Sequence, residues 1–239
     1  MSARKAGDVP RDDGPGRGDS IRVDIWSDIA CPWCYIGKRK FEIAVESFTA
    51  RNAGAAPRVD VVFHSFELAP DLPLGPTRPI REYLKSDKGM GEREAGAELH
   101  RIEQIADKVG IDINFEVNSV ANTVLAHQLL QYAKGYGKQR EAKEALFAAH
   151  FTQGRNVSDL EELAAIAEEI GLDREPAVRA LAAGDHLSAV REDEELARSY
   201  GIRGVPFAVI NGEYGVSGAQ EPEVLERVLE RVWTEVRSG

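Results

Sequence analysis

Apolar and polar residues alternate near the start of the chain. Ile21, Val23 and Ile25 fall on one side and Arg22, Asp24 and Trp26 on the other, the period of two that a strand requires. From Pro32 to Arg51 the period changes. Phe41, Val45 and Phe48 recur at spacings of four and three, which predicts a helix ended by Asn52, Gly54 and Pro57. Val59-Asp60-Val61-Val62-Phe63 predicts a second strand before Pro70, Pro73, Pro76 and Pro79 interrupt the pattern. Strand, helix and strand at this spacing predict a right-handed βαβ unit with a parallel pair.

From about residue 78 to residue 200 the strong signals are helical, over residues 83–88, 95–109, 118–132, 142–151 and 187–200. Ser158 with Glu161 forms a capping-box pattern before Leu160, Leu163, Ala164, Ala167 and Ile170, with Gly171 past the end. Around residues 118–132 apolar positions occupy two faces, so that helix is expected to be covered on both sides. No period recurs across the block, which makes it an insertion of six or seven elements rather than a repeat array. The last forty residues return to β. Phe207-Ala208-Val209-Ile210, then Asn211-Gly212, then residues 213–216 predict a hairpin, because a type I′ turn needs positive φ at both central residues. Pro222 opens a final helix whose Leu225, Val228, Leu229 and Val232 share a face. The expected class is α/β, with β-α-β and β-β-α portions flanking an all-helical insertion. The expected division is a disordered leader over 1–20, one domain from 21–77 plus 201–239, and an insertion domain over 78–200.

The 239 residues, 43% of them hydrophobic, are enough for a sizeable core. A net charge of −10 argues against non-specific binding to nucleic acid or to anionic membrane. No stretch approaches the ~18–20 apolar residues of a membrane span, and the first twenty residues hold no apolar run of a secretory signal. The expected compartment is therefore the cytoplasm, where a Cys-x-x-Cys serves catalysis, redox sensing or metal binding more often than a structural disulfide.

The chain holds two cysteines, within Cys31-Pro32-Trp33-Cys34, at the corner between the first strand and the first helix. A sulfur at a helix start meets unsatisfied N–H groups and the positive end of the macrodipole, which favour a thiolate. A zinc site would want four ligands. No third cysteine is present and His64, His100, His127, His150 and His186 show no metal-ligand spacing, so no metal is expected. A second signal is Gly201-Ile202-Arg203-Gly204-Val205-Pro206, directly before the hairpin.

With these two segments the chain resembles the thioredoxin superfamily, whose redox members carry a Gly-x-x-Gly-Val/Ile-Pro segment with a cis proline. The alternative for Pro206 is an ordinary edge-strand proline. The helical insertion narrows the resemblance to the DsbA family. Residues 28–38, His64-Ser65-Phe66-Glu67-Leu68, Asn118-Ser119, Ala126-His127 and Val216-Ser217-Gly218-Ala219-Gln220 look like its FrnE-type branch, over residues 21–237. The resemblance implies a thioredoxin-like fold and a cytoplasmic thiol–disulfide oxidoreductase or isomerase without a tightly bound cofactor. Cys31 would attack a protein or peptide disulfide and Cys34 would resolve the mixed disulfide. Val205 and Pro206 would pair with an extended substrate, beside Pro32 and Trp33; Trp33 reads equally as packing.

Pro32-Trp33 carries no positive charge, so a milder oxidant than DsbA is expected, resting as the dithiol. Asp28, Asp24 and His127 are the candidate proton-transfer or supporting groups. Alternation aims Asp24 to the Arg22/Trp26 side, Asp28 could instead cap the helix or be solvated, and His127 could be an ordinary interior or surface histidine. Two alternatives stand beside the disulfide enzyme. One is a glutathione-dependent isomerase of the 2-hydroxychromene-2-carboxylate type, whose relatives have serine in place of the first cysteine; the other is a redox-gated chaperone. Glutathione is the expected small-molecule partner, and a monomer and a homodimer are both compatible with the sequence.

Overall fold

The computed structural model describes residues 20–54 and 56–238. The expected leader therefore lies outside the described residues, except for Ser20, which opens the first strand. The chain begins with β1 (Ser20–Ser27), α1 (Pro32–Arg51) and β2 (Arg58–Ser65). It continues through β3 (Arg78–Pro79), α2 (Ile80–Ser86), α3 (Glu92–Asp107), β4 (Ser119–Val120), α4 (Val124–Gly135) and α5 (Gln139–Phe147). A π-helical turn (Ala148–Thr152) leads to α6 (Leu160–Glu169), α7 (Arg174–Ala183) and α8 (Leu187–Ser199). The end is β5 (Phe207–Ile210), β6 (Tyr214–Ser217) and α9 (Pro222–Ser238). The expected order, helices inserted between β-α-β and β-β-α portions, is what the chain adopts.

The chain forms two compact units. One comprises residues 20–27, 33–66 and 193–238, and the other residues 28–32 and 67–192. In the first, a four-stranded sheet has the order β2-β1-β5-β6. β1 is parallel to β2 from Ser20 to Ser27 and antiparallel to β5, with Trp26 opposite both His64 and Phe207. Asn211 and Gly212 have φ of 50° and 71°, so the hairpin closes through two left-handed residues as its Asn-Gly predicts. Asn211 also extends the pairing: its Oδ1 accepts from Arg22 N at 2.9 Å, and its N–H donates to Arg22 O at 2.8 Å.

A polar pair joins α1 to α9, with Ser47 Oγ 3.1 Å from Glu226 Oε1, and Lys40 Nζ lies 2.6 Å from Oε1 of Glu221, the residue before α9. Trp26, on the other side of β1 from Ile21, Val23 and Ile25, is buried with Ala197, Ile202 and Val209. Phe66, Leu196, Tyr200, Val205 and Phe207 surround that cluster.

The second unit is helical apart from a short ladder, Arg78 opposite Val120 and Pro79 opposite Ser119. Here the periodicity misplaced two helix starts. The helix expected from residue 118 begins at Val124, because the preceding residues have other partners. Ile80 N–H donates to Asn118 O, Asn118 Nδ2 donates to His150 O at 2.9 Å, and Asn122 Oδ1 accepts from Val124 N at 2.9 Å. Asparagine side chains that bond backbone compete with helix formation in this way. Asp159, not Ser158, caps α6 and accepts from the N–H groups of Glu161 and Glu162 at 2.9 and 3.0 Å. Ser158 is buried and its Oγ instead accepts from Gly75 N at 2.9 Å. α4 carries buried residues on all sides, among them Ala126, His127, Leu129, Leu130 and Ala133, as its two-faced pattern predicts.

Gly154 has φ 67°, and a Cβ there would come within 2.6 Å of Val117 O and 2.8 Å of Val117 Cβ. Gly154→Ala is expected to lower the unfolding free energy by ~1–3 kcal/mol, since it adds left-handed strain to a backbone clash. Urea denaturation of the two proteins measures this, and an unchanged midpoint would contradict it.

Candidate active site

The thiols owe their place to a tight turn between β1 and α1. Cys31 N–H donates to Asp28 O at 3.3 Å, and Pro32, which needs no N–H partner, starts the helix immediately afterwards. The first turn of α1 contains no acidic residue, so no carboxylate offsets the helix N-terminus there. Cys31 is 5% exposed and Cys34 2%, so both cysteines are buried, Cys31 slightly less so. Pro32 and Trp33 between them are half-buried.

The Val205–Pro206 peptide bond is cis. Pro206 is buried, and its carbonyl accepts from Gly218 N at 2.8 Å. It borders α1 one turn beyond Cys34: a Cβ on Gly37 would stand 3.1 Å from Pro206 Cγ and 3.5 Å from Ala219 Cβ. Gly37 therefore permits the close approach of helix and loop. Sequence reasoning quoted Gly37, Gly218 and Ala219 only as part of a resemblance and assigned them no task. The signal available was a glycine early in a helix, which costs helix stability and so calls for a packing reason.

Asp28 neither caps α1 nor faces solvent. It is 1% exposed. Its Oδ2 accepts from Leu68 N at 2.7 Å, and its Oδ1 lies 3.3 Å from both Ala30 N and His127 Nε2. Burial pushes its pKa up, but His127, the Leu68 N–H and the Thr123 hydroxyl together outweigh burial and hold the carboxyl below the usual carboxylate range. His127 is fully buried and its Nδ1 has no hydrogen-bond partner among the described residues. A neutral imidazole that donates from Nε2 to Asp28 keeps Nδ1 as a lone-pair acceptor. His150 is buried in the same unit, and burial depresses its pKa to about 4, slightly opposed by the Asp28 charge.

Asp24 is occupied elsewhere. Both its oxygens meet Arg22, at 3.0–3.2 Å, and Oδ1 lies 2.9 Å from His64 Nε2. His64 Nδ1 lies 2.5 Å from Asp193 Oδ1, so one imidazole stands between two carboxylates. Sequence analysis missed Asp193, whose exposed-looking helical context gave no signal.

A family model for the DSBA-like thioredoxin domain matches residues 22–230. The chain belongs to the DsbA family. Its structure is similar to that of a probable DsbA oxidoreductase from Streptomyces coelicolor, with 38% identity, a TM-score of 0.83, and 90% of this chain and 91% of that one covered. An uncharacterized protein of Bacillus subtilis, YwbO, is 29% identical over 217 residues, 88% of this chain and 96% of that protein. The fold alone is shared with the cytosolic disulfide reductase DsbM of Pseudomonas aeruginosa, solved with GSH, at 16% identity and TM-score 0.59, covering 88% and 98%. The thioredoxin-like DsbA fold expected from the two motifs is thus the fold observed, and it supports thiol–disulfide exchange as the activity of this DsbA-like protein. Among the described residues no helix is long and apolar enough to cross a membrane.

The buried histidine makes stability depend on pH. Below pH 6.5 the unfolded chain takes up a proton at His150 that the folded protein refuses until about pH 4. Stability is therefore expected to fall by about 3 kcal/mol as pH drops through that window. His150→Gln should remove this part of the acid dependence. Urea unfolding between pH 7 and pH 4 measures it, and parallel curves for the two proteins would contradict it.

Proposed function

We propose that this DsbA-family protein reduces or isomerises protein and peptide disulfides through Cys31 and Cys34. The observation that carries the reading is the cis Val205–Pro206 segment packed against α1 one turn beyond Cys34, at Gly37. Cys31 thiolate attacks a substrate disulfide, one S–S bond forms as another breaks, and a substrate thiolate leaves. Cys34 thiolate then attacks the Cys31 sulfur, closes the Cys31–Cys34 disulfide and releases the second substrate thiol. Two electrons pass to the substrate, and a low-molecular-weight thiol such as glutathione returns them. Val205 offers its backbone to the extended substrate chain, while Pro32 and half-buried Trp33 supply apolar surface beside the sulfurs. The reaction takes place in the cytoplasm, and the sequence likeness of residues 28–38 supports a FrnE-like relative.

Asp28 and His127 handle the proton in this scheme. The buried carboxylate holds the imidazole tautomer, as the aspartate of a catalytic triad does. Nδ1 is then the atom left to take up a thiol proton and to return it. Asp24, tied to Arg22 and His64, has no share in that step.

Cys31→Ser should abolish insulin reduction and refolding of scrambled ribonuclease, and Cys34→Ser should accumulate the mixed disulfide. Titration against glutathione buffers should give a potential well below the about −120 mV of DsbA, because no cation sits between the sulfurs. A potential near that of DsbA overturns the reductive direction, and turnover that survives Cys34→Ser favours a glutathione-dependent isomerase instead.

Asp28→Asn and His127→Gln should each slow the breakdown of the mixed disulfide by about a hundredfold at pH 7. One ionisation should disappear from the pH–rate profile, with alkylation of Cys31 at pH 9 unchanged. Profiles that superimpose on wild type would reduce both residues to packing.

A further inference from the structure

The first unit also contains a buried charge cluster for which disulfide exchange as described has no use. His64, 5% exposed at the end of β2, has Asp24 of β1 at Nε2 and Asp193 of α8 at Nδ1, at 2.9 and 2.5 Å. Arg22 of β1 pairs with Asp24, and Asp193 Oδ2 accepts from Ser65 N at 2.7 Å. Asp193 O accepts from Trp26 Nε1 at 2.9 Å, and Trp26 stacks on His64 with centroids 4.5 Å apart and planes 15° from parallel. The charged groups facing the imidazole are thus Asp24, with Arg22 behind it, and Asp193; Tyr200 of the following turn stands across Trp26 at 5.5 Å.

This cluster is continuous with the substrate segment. Trp26 is the centre of the apolar group that holds Ile202, Val205, Tyr200 and Phe207. α8 ends with Ile202 N–H bonded to Ala197 O at 2.9 Å, and four residues later the chain reaches Pro206. The segment 200–207 therefore rests on Trp26 and on the last turns of α8, and both are fixed by one imidazole. We propose that His64, clamped between Asp24 and Asp193, is a positioning residue for peptide substrates: it sets where Val205–Pro206 is presented. The proposal rests on the disulfide-exchange reading and adds the determinant of substrate affinity.

Burial works against the His64 charge, but Asp193 first and Asp24 second outweigh it and raise the pKa above the ordinary histidine value. The ion cluster is therefore complete at and below the pH where a free histidine titrates, and loosens as pH rises through the raised value. Removal of one partner from a buried ion pair leaves the other charge uncompensated, so the effect on the segment should be large.

The test compares wild type, His64→Gln and the milder Asp24→Asn, each checked for folding by circular dichroism. The substrates are a fluorescent peptide disulfide and a small aromatic disulfide that needs no strand pairing. KM for the peptide is expected to rise about tenfold in His64→Gln and less in Asp24→Asn, with kcat and the small-disulfide rate within about twofold of wild type. Wild-type KM should climb on the alkaline side, and the His64→Gln value should not. If His64→Gln does not fold, Asp24→Asn decides. A folded variant with unchanged peptide KM, or one that loses both substrates equally, overturns the clamp while leaving disulfide exchange intact. Absence of peptide turnover by wild type overturns both.

Discussion

Strand β1 is the constraint on which the other features depend. It is hydrogen-bonded along one edge to β2 and along the other to β5, so it has no freedom to slide. A one-residue slip would exchange Ile21, Val23 and Ile25 with Arg22, Asp24 and Trp26 and so disrupt the packing on both faces of the strand. Fixed in register, β1 hands the chain to the turn at Asp28 and Cys31, and α1 starts at once. The sulfurs are presented by main chain rather than by a mobile loop, which is how a reactive group is kept in place.

Two buried polar clusters flank that corner in sequence, and they solve the same problem differently. Asp28 is compensated by N–H groups, a hydroxyl and His127, with no permanent cation in contact. Asp24 and Asp193 instead share one imidazole, with an arginine on Asp24, so the cluster is closer to neutral as a whole. Buried ion clusters add less stability than their contacts suggest, since desolvation offsets much of the attraction. A positional task accounts for this one better than a stabilising one.

Glycine plays its part at the closest approach. Gly37 sits within α1, where alanine would favour the helix by about 1 kcal/mol. The space that its missing side chain leaves is filled by Pro206 and Ala219. Together with Gly218, whose N–H binds Pro206 O, these residues give the segment 216–220 a mechanical purpose. The loop is braced from the hairpin side by a main-chain hydrogen bond and from the helix side by contact.

The sequence by itself determined the class, the element order, the helix over residues 32–51, the Asn-Gly hairpin and the dithiol. Those depend on periods, turn chemistry and spacing, which are local. It misplaced the starts of α4 and α6, because Asn118 and Asn122 bond to backbone far away in sequence and Asp159 rather than its neighbour reaches the free N–H groups. The surroundings of Asp28 were beyond it for the same reason: nothing near residue 28 signals that Leu68 and His127 will close around that carboxylate. Asp193 lies among acidic residues in an amphipathic helix and reads as solvated. Only the tertiary structure turns it towards His64, since hydrogen bonds between residues more than a hundred positions apart leave no periodic trace.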